Sequence, residues 1–173
     1  MRPLELPALE ELALAYAARF ATTAAKLEGY LARKLRERGW AGEGAAPIGA
    51  IVERFVAAGY VDDAAYARAK AGSLLRRGYG ERRIGQALGA AGVDEALRDE
   101  VRPDEGEARR AALALARKRR FGPFGRTPPD RPLREKQLAA MLRAGHPLGT
   151  ARAIVESPAI EDAEAWAAEE GNS

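Results

Sequence analysis

Two adjacent carboxylates, Asp62 and Asp63, are the side chains in this sequence that could most readily support catalysis. Paired carboxylates can serve as general acid and base. Aspartate is also a preferred residue at a helix N-terminus, where it accepts hydrogen bonds from free backbone N–H groups. No histidine or further carboxylate pair is placed to cooperate with these two. We therefore expect Asp63 to cap a helix, and we assign no catalytic role to the pair.

Two other features, His146 and the segment Gly78-Tyr79-Gly80, could suggest a metal, catalytic or phosphate-binding site. The single histidine, His146, precedes Pro147 at a helix start, and one histidine in a chain without cysteine makes neither a metal site nor a catalytic triad. Gly78-Tyr79-Gly80 resembles a piece of a phosphate-binding loop, but it follows a helix and no GK[ST] comes after it. A structural histidine and a helix–helix turn are the better interpretations. The sequence predicts no catalytic residue, no metal site and no cofactor.

The charge is unevenly distributed, although the net charge is only +3. Six basic residues stand against Glu81 alone between Arg68 and Arg83, and eleven stand against two acids between Arg109 and Arg143. Every charged residue after Arg152 is acidic. A basic body with an acidic tail indicates a polyanionic partner or an acidic protein surface. The alternative is an arginine-rich composition that produces no more than a solvated face.

Apolar residues recur at helical spacing along the whole chain, which predicts an all-α protein. The first helix is expected over about Leu9 to Ala21, with Phe20 on its buried face. Thr22 or Thr23 should cap the second helix, and Gly39 should end it. Three helices, with a glycine after the second, then occur three times at a period of about 45 to 50 residues. Each unit is too small to be stable alone, which predicts a row of three-helix repeats. The expected boundaries are 1–60, 61–103 and 104–157 for the three repeats, and 158–173 for the acidic C-terminal tail.

A helix-turn-helix reader of DNA is the main competing fold-based hypothesis. In DEALRDEVR four acids face two arginines, and PIGAIVERFVAA carries one acid and one arginine. Neither helix suits a major groove, because phosphates repel the first and the second lacks residues that read bases. The sequence therefore disfavours sequence-specific groove recognition.

The stretch Gly59-Tyr60-Val61-Asp62-Asp63, followed by Tyr66-Ala67, Arg77-Gly78-Tyr79-Gly80, Arg83-Ile84, Leu88 and Gly92-Val93, closely resembles the RecX family of regulatory proteins. The resemblance covers roughly residues 9–156. It implies an elongated, curved all-helical array of three tandem three-helix repeats. It also implies a bacterial, cytoplasmic regulator of homologous recombination and the SOS response, which is not an enzyme. Such a protein binds RecA and the groove of the RecA–single-stranded DNA filament, and inhibits the ATPase, strand-exchange and co-protease activities of RecA.

We expect a monomer that makes, at most, weak direct contact with DNA and none with a membrane. Tyr60, Tyr66, Ile84 and Leu88 are expected in the core, and the acidic tail is expected to fold back on residues 117–120. Two alternatives remain: a non-specific DNA-binding protein that acts by phosphate neutralisation, and a helical scaffold with an unrelated partner. The predicted partner- or DNA-binding residues are Arg68, Lys70, Arg76, Arg77, Arg82, Arg83, Arg117, Lys118, Arg119 and Arg120, with Lys26, Arg33, Lys34 and Arg36 as weaker candidates.

Overall fold

The computed structural model describes residues 1–169. Apart from one isolated bridge between Leu4 and Trp40, the regular structure in this range is helical, which confirms the predicted all-α class. A short 3₁₀ helix covers Gly122–Phe124. The α-helices are α1 (Leu6–Arg19), α2 (Ala24–Arg38), α3 (Ile48–Ala57), α4 (Asp63–Arg76), α5 (Glu81–Ala90), α6 (Glu95–Glu100), α7 (Glu105–Arg119), α8 (Arg131–Arg143), α9 (Leu148–Val155) and α10 (Ile160–Ala168).

The second helix of each predicted repeat is followed by a glycine, as expected. Gly39, Gly92 and Gly145 have φ angles of 83°, 78° and 99°, a region that residues with a Cβ rarely adopt. The first nine helices follow in the predicted order, three to a repeat. The repeat borders at residues 60, 103 and 157 remain a prediction.

The described chain forms two compact units whose borders do not coincide with the repeats. One unit comprises residues 1–68 and 89–97, so α4 and α5 each contribute residues to both units. Its core joins the buried leucines of α1 and α2 to apolar residues of α3: Leu9, Leu27 and Leu31 pack in one cluster with Ile51, Val52 and Phe55. The chain before α1 is fixed to the end of α2, because the N–H of Leu4 donates to the carbonyl oxygen of Gly39 at 2.9 Å.

The other unit comprises residues 69–88 and the chain from 98 onward. Its core is rich in alanine, and Leu115, Met141, Ile154 and Val155 are its larger buried side chains. Small side chains allow close approach of the helices α7, α8 and α9, and the buried set is Ala112, Leu115, Ala116, Met141, Ala144, Ala151, Ile154 and Val155.

Several details differ from the sequence-based expectations. Helix α1 begins three residues earlier than predicted, because a proline in its first turn has the φ that a helix requires. It ends at Arg19, and Phe20 beyond it is 49% exposed rather than buried. Tyr60, expected in the core, is 59% exposed, and its ring meets that of Phe55 in a T-shaped arrangement with centroids 5.6 Å apart.

The predicted acidic tail contains a helix that the sequence analysis missed. Helix α10 starts with Glu161 and Asp162 in its first turn, where carboxylates interact favourably with the helix dipole. Ala163 and Ala167 are buried, and Trp166 packs against the alanine-rich core. The sequence does contain a signal for this helix: Trp166 and Ala167 follow Ala163 by three and four positions, which is helical spacing. The acids between and around them obscured that pattern.

Candidate partner-binding site

The carboxylates Asp62 and Asp63 cap two different helices. The Oδ1 of Asp62 accepts a hydrogen bond from the N–H of Ala65 at 3.0 Å, which makes Asp62 the N-cap of α4. The prediction that Asp63 caps this helix is therefore wrong by one residue. The Oδ1 of Asp63 instead accepts from the N–H of Ala24 at 2.9 Å, in the first turn of α2. Both carboxylates satisfy free backbone donors, which is the role that the sequence analysis gave the pair.

His146 is buried and joins two turns. Its Nε2 lies 2.7 Å from the carbonyl oxygen of Gly78, which can only accept, so Nε2 carries the proton. The Nδ1 atom is buried without a partner. Burial lowers the pKa of His146 below its usual 6.5, and the hydrogen bond to Gly78 opposes that shift. The imidazole is thus a neutral structural connector.

The start of α5 is held by backbone contacts from the turn that precedes His146. The N–H of Gly80 donates to the carbonyl oxygen of Ala144 at 2.8 Å, and the N–H of Arg82 donates to that of Gly145 at 3.2 Å. These acceptors satisfy donors that a helix N-terminus leaves without internal partners. A Cβ on Gly145 would lie 2.5 Å from the backbone nitrogen of Arg83. The backbone from which Arg82 and Arg83 project is therefore closely constrained.

Two predicted binding residues share one aromatic ring. The guanidinium carbons of Arg77 and Arg83 each lie 5.1 Å from the ring centroid of Tyr79. Both arginines are exposed, whereas Tyr79 is half-buried and packs against the core. Within residues 1–169, no carboxylate lies within 4.0 Å of either guanidinium. The turn Gly78-Tyr79-Gly80 thus places the aromatic ring that positions the guanidiniums of Arg77 and Arg83.

The other predicted residues of the middle repeat lie on α4 and at the start of α5. Arg68, Arg76 and Arg82 are exposed, and Lys70 is half-buried. The guanidinium of Arg76 lies back over Gly72, one helical turn earlier. None of these four has a carboxylate within 4.0 Å in the described part of the chain. The middle repeat therefore exposes basic side chains that internal ion pairs leave unneutralised.

The basic run at the end of α7 is exposed and partly engaged. Arg117 forms a 2.8 Å ion pair with Glu164 of α10, so the acidic segment does fold back on this run, as predicted. The guanidinium of Arg119 lies over the ring of Phe121, and Lys118 is exposed. Arg120 ends the helix with φ at 59°, the single positive φ of a non-glycine residue in the range 1–169.

Arg109 was not among the predicted site residues. Its guanidinium lies 4.6 Å from the ring centroid of Trp166 and donates to that residue's carbonyl oxygen at 2.9 Å. It also pairs with Glu105 of its own helix, and only 15% of its side chain is exposed. Arg109 therefore attaches α10 to α7 and is unavailable to a partner.

The weaker candidates of the first repeat are largely engaged within the chain. Lys34 pairs with Glu37 at 3.0 Å, and this hydrogen bond lowers the pKa of the Glu37 carboxyl. Arg33 lies within 3.8 Å of the same carboxylate. The ammonium of Lys26 lies 5.3 Å from the ring centroid of Tyr66, and Arg36 is exposed.

Residues 1–169 contain no group of three or more His, Cys, Asp or Glu side chains arranged to hold a metal ion. In the same range, no helix combines the length and apolar character required to cross a bilayer.

Comparison with known proteins places this arrangement in a family. A family model described as "RecX, second three-helix domain" matches residues 62–101, the segment that carries Asp62, Tyr79 and Arg83. Regulatory protein RecX of Myxococcus xanthus is 37% identical over 158 residues, which cover 86% of this chain and 84% of the relative. Regulatory protein RecX of Thermus thermophilus is 40% identical over 109 residues, covering 63% and 70%.

Solved structures share the fold. The crystal structure of RecX from Lactobacillus salivarius superposes with a TM-score of 0.66 at 18% identity, over 86% of this chain and 92% of that one. A second RecX crystal structure gives a TM-score of 0.65 at 20% identity, over 87% and 73%. Fold, family model and relatives agree, and the chain belongs to the RecX family of regulatory proteins.

Proposed function

We propose that this protein binds RecA and the groove of the RecA–single-stranded DNA filament and restrains the filament. Binding there lowers the ATPase, strand-exchange and co-protease activities of RecA, and so regulates homologous recombination and the SOS response. Membership of the RecX family supports this proposal. The relatives carry the name of regulatory proteins, which favours a binding role over catalysis.

The observation that carries the proposal is the set of exposed cations around Tyr79 and the start of α5. Arg76, Arg77, Arg82 and Arg83 are exposed, and no carboxylate in residues 1–169 lies within 4.0 Å of them. An extended ligand that carries negative charge, such as a nucleoprotein filament, provides the missing counter-charge. Because the backbone of this segment is fixed by hydrogen bonds, little ordering accompanies binding.

The test is the single-strand-dependent ATPase rate of RecA with this protein titrated in below one chain per RecA monomer. We expect the rate to fall at substoichiometric amounts, and we expect changing Arg76, Arg77, Arg82 and Arg83 to Glu to abolish the effect. A control with the same total charge change replaces the exposed Arg19, Arg54, Arg131 and Arg152 by Glu. The control should still inhibit. Inhibition that appears only once the protein coats the DNA would instead support non-specific phosphate neutralisation and would overturn the proposal.

A further inference from the structure

Arg77 and Arg83, the two cations that lie over the ring of Tyr79, have no carboxylate within 4.0 Å in residues 1–169, so they can bind an external anion. The ring of Tyr79 packs against the alanine-rich core. Its backbone is also fixed, because its N–H donates to the carbonyl oxygen of Leu74 at 3.0 Å. Arg77 precedes the ring by two residues and Arg83 follows it by four. Each guanidinium carbon lies 5.1 Å from the ring centroid, so one ring positions two cations.

The one acid of this segment does not compensate them. Glu81 lies between Tyr79 and Arg83 in the sequence, but its carboxylate pairs with Arg102 at 3.1 Å. Arg102 also pairs with Asp99, so the acids near this segment form a small network of their own. The charges of Arg77 and Arg83 therefore remain available to an external anion.

A guanidinium that stacks on a ring uses one of its faces, and the N–H groups on its edge remain available. Those edges match the oxygens of a phosphate group, which accepts forked hydrogen bonds from more than one direction. A strand of nucleic acid supplies such groups at regular intervals and without regard to sequence.

The surroundings favour a nucleic acid over a protein as the source of the anion. Protein–protein interfaces carry an apolar core, whereas protein–DNA interfaces are more polar and much more positive. Among the described residues, the large hydrophobic side chains with substantial exposure lie before residue 61 or after residue 132. The segment 61–132 therefore presents basic side chains without an apolar anchor.

We infer that Arg77 and Arg83 bind phosphodiester oxygens of single-stranded DNA, and that Tyr79 is the positioning residue that holds both guanidiniums. This inference rests on the proposed function, since the strand would be the one within the filament. It adds that the middle repeat contacts the DNA itself.

The test measures binding of the full chain to a fluorescently labelled oligo(dT) without RecA, by anisotropy over a range of salt concentrations. Each lost phosphate contact makes the slope of log K against log salt less steep by about 0.7 for a single strand. Replacing both Arg77 and Arg83 by Gln should therefore reduce the slope by about 1.4. A control that replaces Arg54 and Arg131, each paired with a carboxylate, by Gln removes the same charge and should leave the slope unchanged.

Tyr79 is tested separately, because its role is to position cations that remain present. Tyr79→Phe keeps the ring and should bind oligo(dT) like the original chain. Tyr79→Leu keeps an apolar side chain against the core but removes the ring, and should weaken binding severalfold. Circular dichroism melting shows whether each variant is folded. Equal binding by the Phe and Leu variants, with both folded, would overturn the positioning role.

The two proposals fail in different ways. If the double Gln variant loses RecA inhibition but keeps the oligo(dT) slope of its control, the ligand is a carboxylate of RecA. That result overturns the inference and leaves the proposed function in place. If the slope falls while RecA inhibition is unchanged, the DNA contact is supported and the inhibition does not depend on these residues. If neither changes, the inference is overturned.

Discussion

The Nε2 of His146 donates a hydrogen bond to the carbonyl oxygen of Gly78 across 2.7 Å, which ties the turn before α9 to the turn before α5. Two backbone hydrogen bonds from the same turns reinforce this contact, from Gly80 to Ala144 and from Arg82 to Gly145. The turn that carries Tyr79 is thus fixed by residues far away in the sequence. A ligand-binding surface with this support is ordered before the ligand arrives.

His146 should make stability depend on pH near neutrality. Its pKa is lowered in the folded protein because burial disfavours the imidazolium, so the unfolded chain binds the proton at a higher pH. The free energy of unfolding should therefore be at its full value above pH 6.5 and fall as the pH drops through that value. The loss should level off below the folded-state pKa, at about 1.4 kcal/mol for each unit by which the pKa is lowered.

Thermal unfolding between pH 8 and pH 5 measures this dependence, and NMR titration reads the imidazole directly, since the chain has a single histidine. In His146→Gln the decline over this range should disappear, because histidine is the side chain type whose ordinary pKa lies between pH 5 and pH 8. An imidazole that titrates at or above pH 6.5 in the folded protein would contradict the prediction.

The two capping carboxylates should contribute independently to stability. Asp62→Ala removes the N-cap of α4 and Asp63→Ala removes a cap of α2, and each should cost about 1 kcal/mol. Because the two carboxylates have no hydrogen-bond partner in common, the double variant should lose close to the sum of the two values, and the departure from that sum measures the coupling between these adjacent residues. Urea unfolding measures this. Asp63→Asn keeps an oxygen acceptor and is the control; if it loses as much as Asp63→Ala, the cap is not the cause.

The same pair shows how far the sequence alone determines this fold. Aspartate before a run of small helix-forming residues indicates a cap, and the helix does begin there. That Asp63 caps α2 rather than α4 depends on a contact across 39 residues, which no local pattern encodes. Local signals of this kind predicted the helices and the glycines that end them, because both follow from backbone conformation.

The candidate site, like the caps, combines features that the local sequence predicts with contacts that depend on distant residues. The sequence shows that Arg77 and Arg83 are basic and close to Tyr79, but they are six positions apart and a turn lies between them. Their meeting on one ring depends on the ends of α4 and α5 and on the distant residues that fix those ends. Helix α10 was missed for a different reason, since its acids concealed a short apolar face.

Two glycines of contrasting environment test how closely the start of α5 is fixed. A Cβ on Gly145 would lie 2.5 Å from the backbone nitrogen of Arg83, and the φ angle of Gly145 is 99°. Gly145→Ala should therefore destabilise the protein by at least about 1 to 2 kcal/mol and weaken RecA inhibition. Gly85, inside α5, has open space around the position of a Cβ, so Gly85→Ala should stabilise the protein by up to about 1 kcal/mol.

Urea unfolding and the RecA ATPase assay, run on both glycine variants, decide the matter. Equal effects of the two substitutions would show that the contact between Gly145 and Arg83 does not constrain α5. A Gly85→Ala variant that is more stable but inhibits RecA less would show that a partner approaches this helix closely.

The ion pair between Arg117 and Glu164 should limit how strongly the basic run of α7 contributes to binding. Both side chains are about half exposed, so Glu164→Gln should change the free energy of unfolding by less than about 1 kcal/mol. The variant frees the guanidinium of Arg117, a predicted partner-binding residue, without altering its surroundings. If that residue contacts the filament, half-maximal inhibition of RecA should occur at a lower concentration, by at most about fivefold, which is the ratio that 1 kcal/mol corresponds to. Glu161→Gln makes the same charge change on the same helix, and no ion pair of Glu161 occurs in residues 1–169. An equal gain in both variants would assign the effect to net charge, and no gain in either would remove Arg117 from the binding surface.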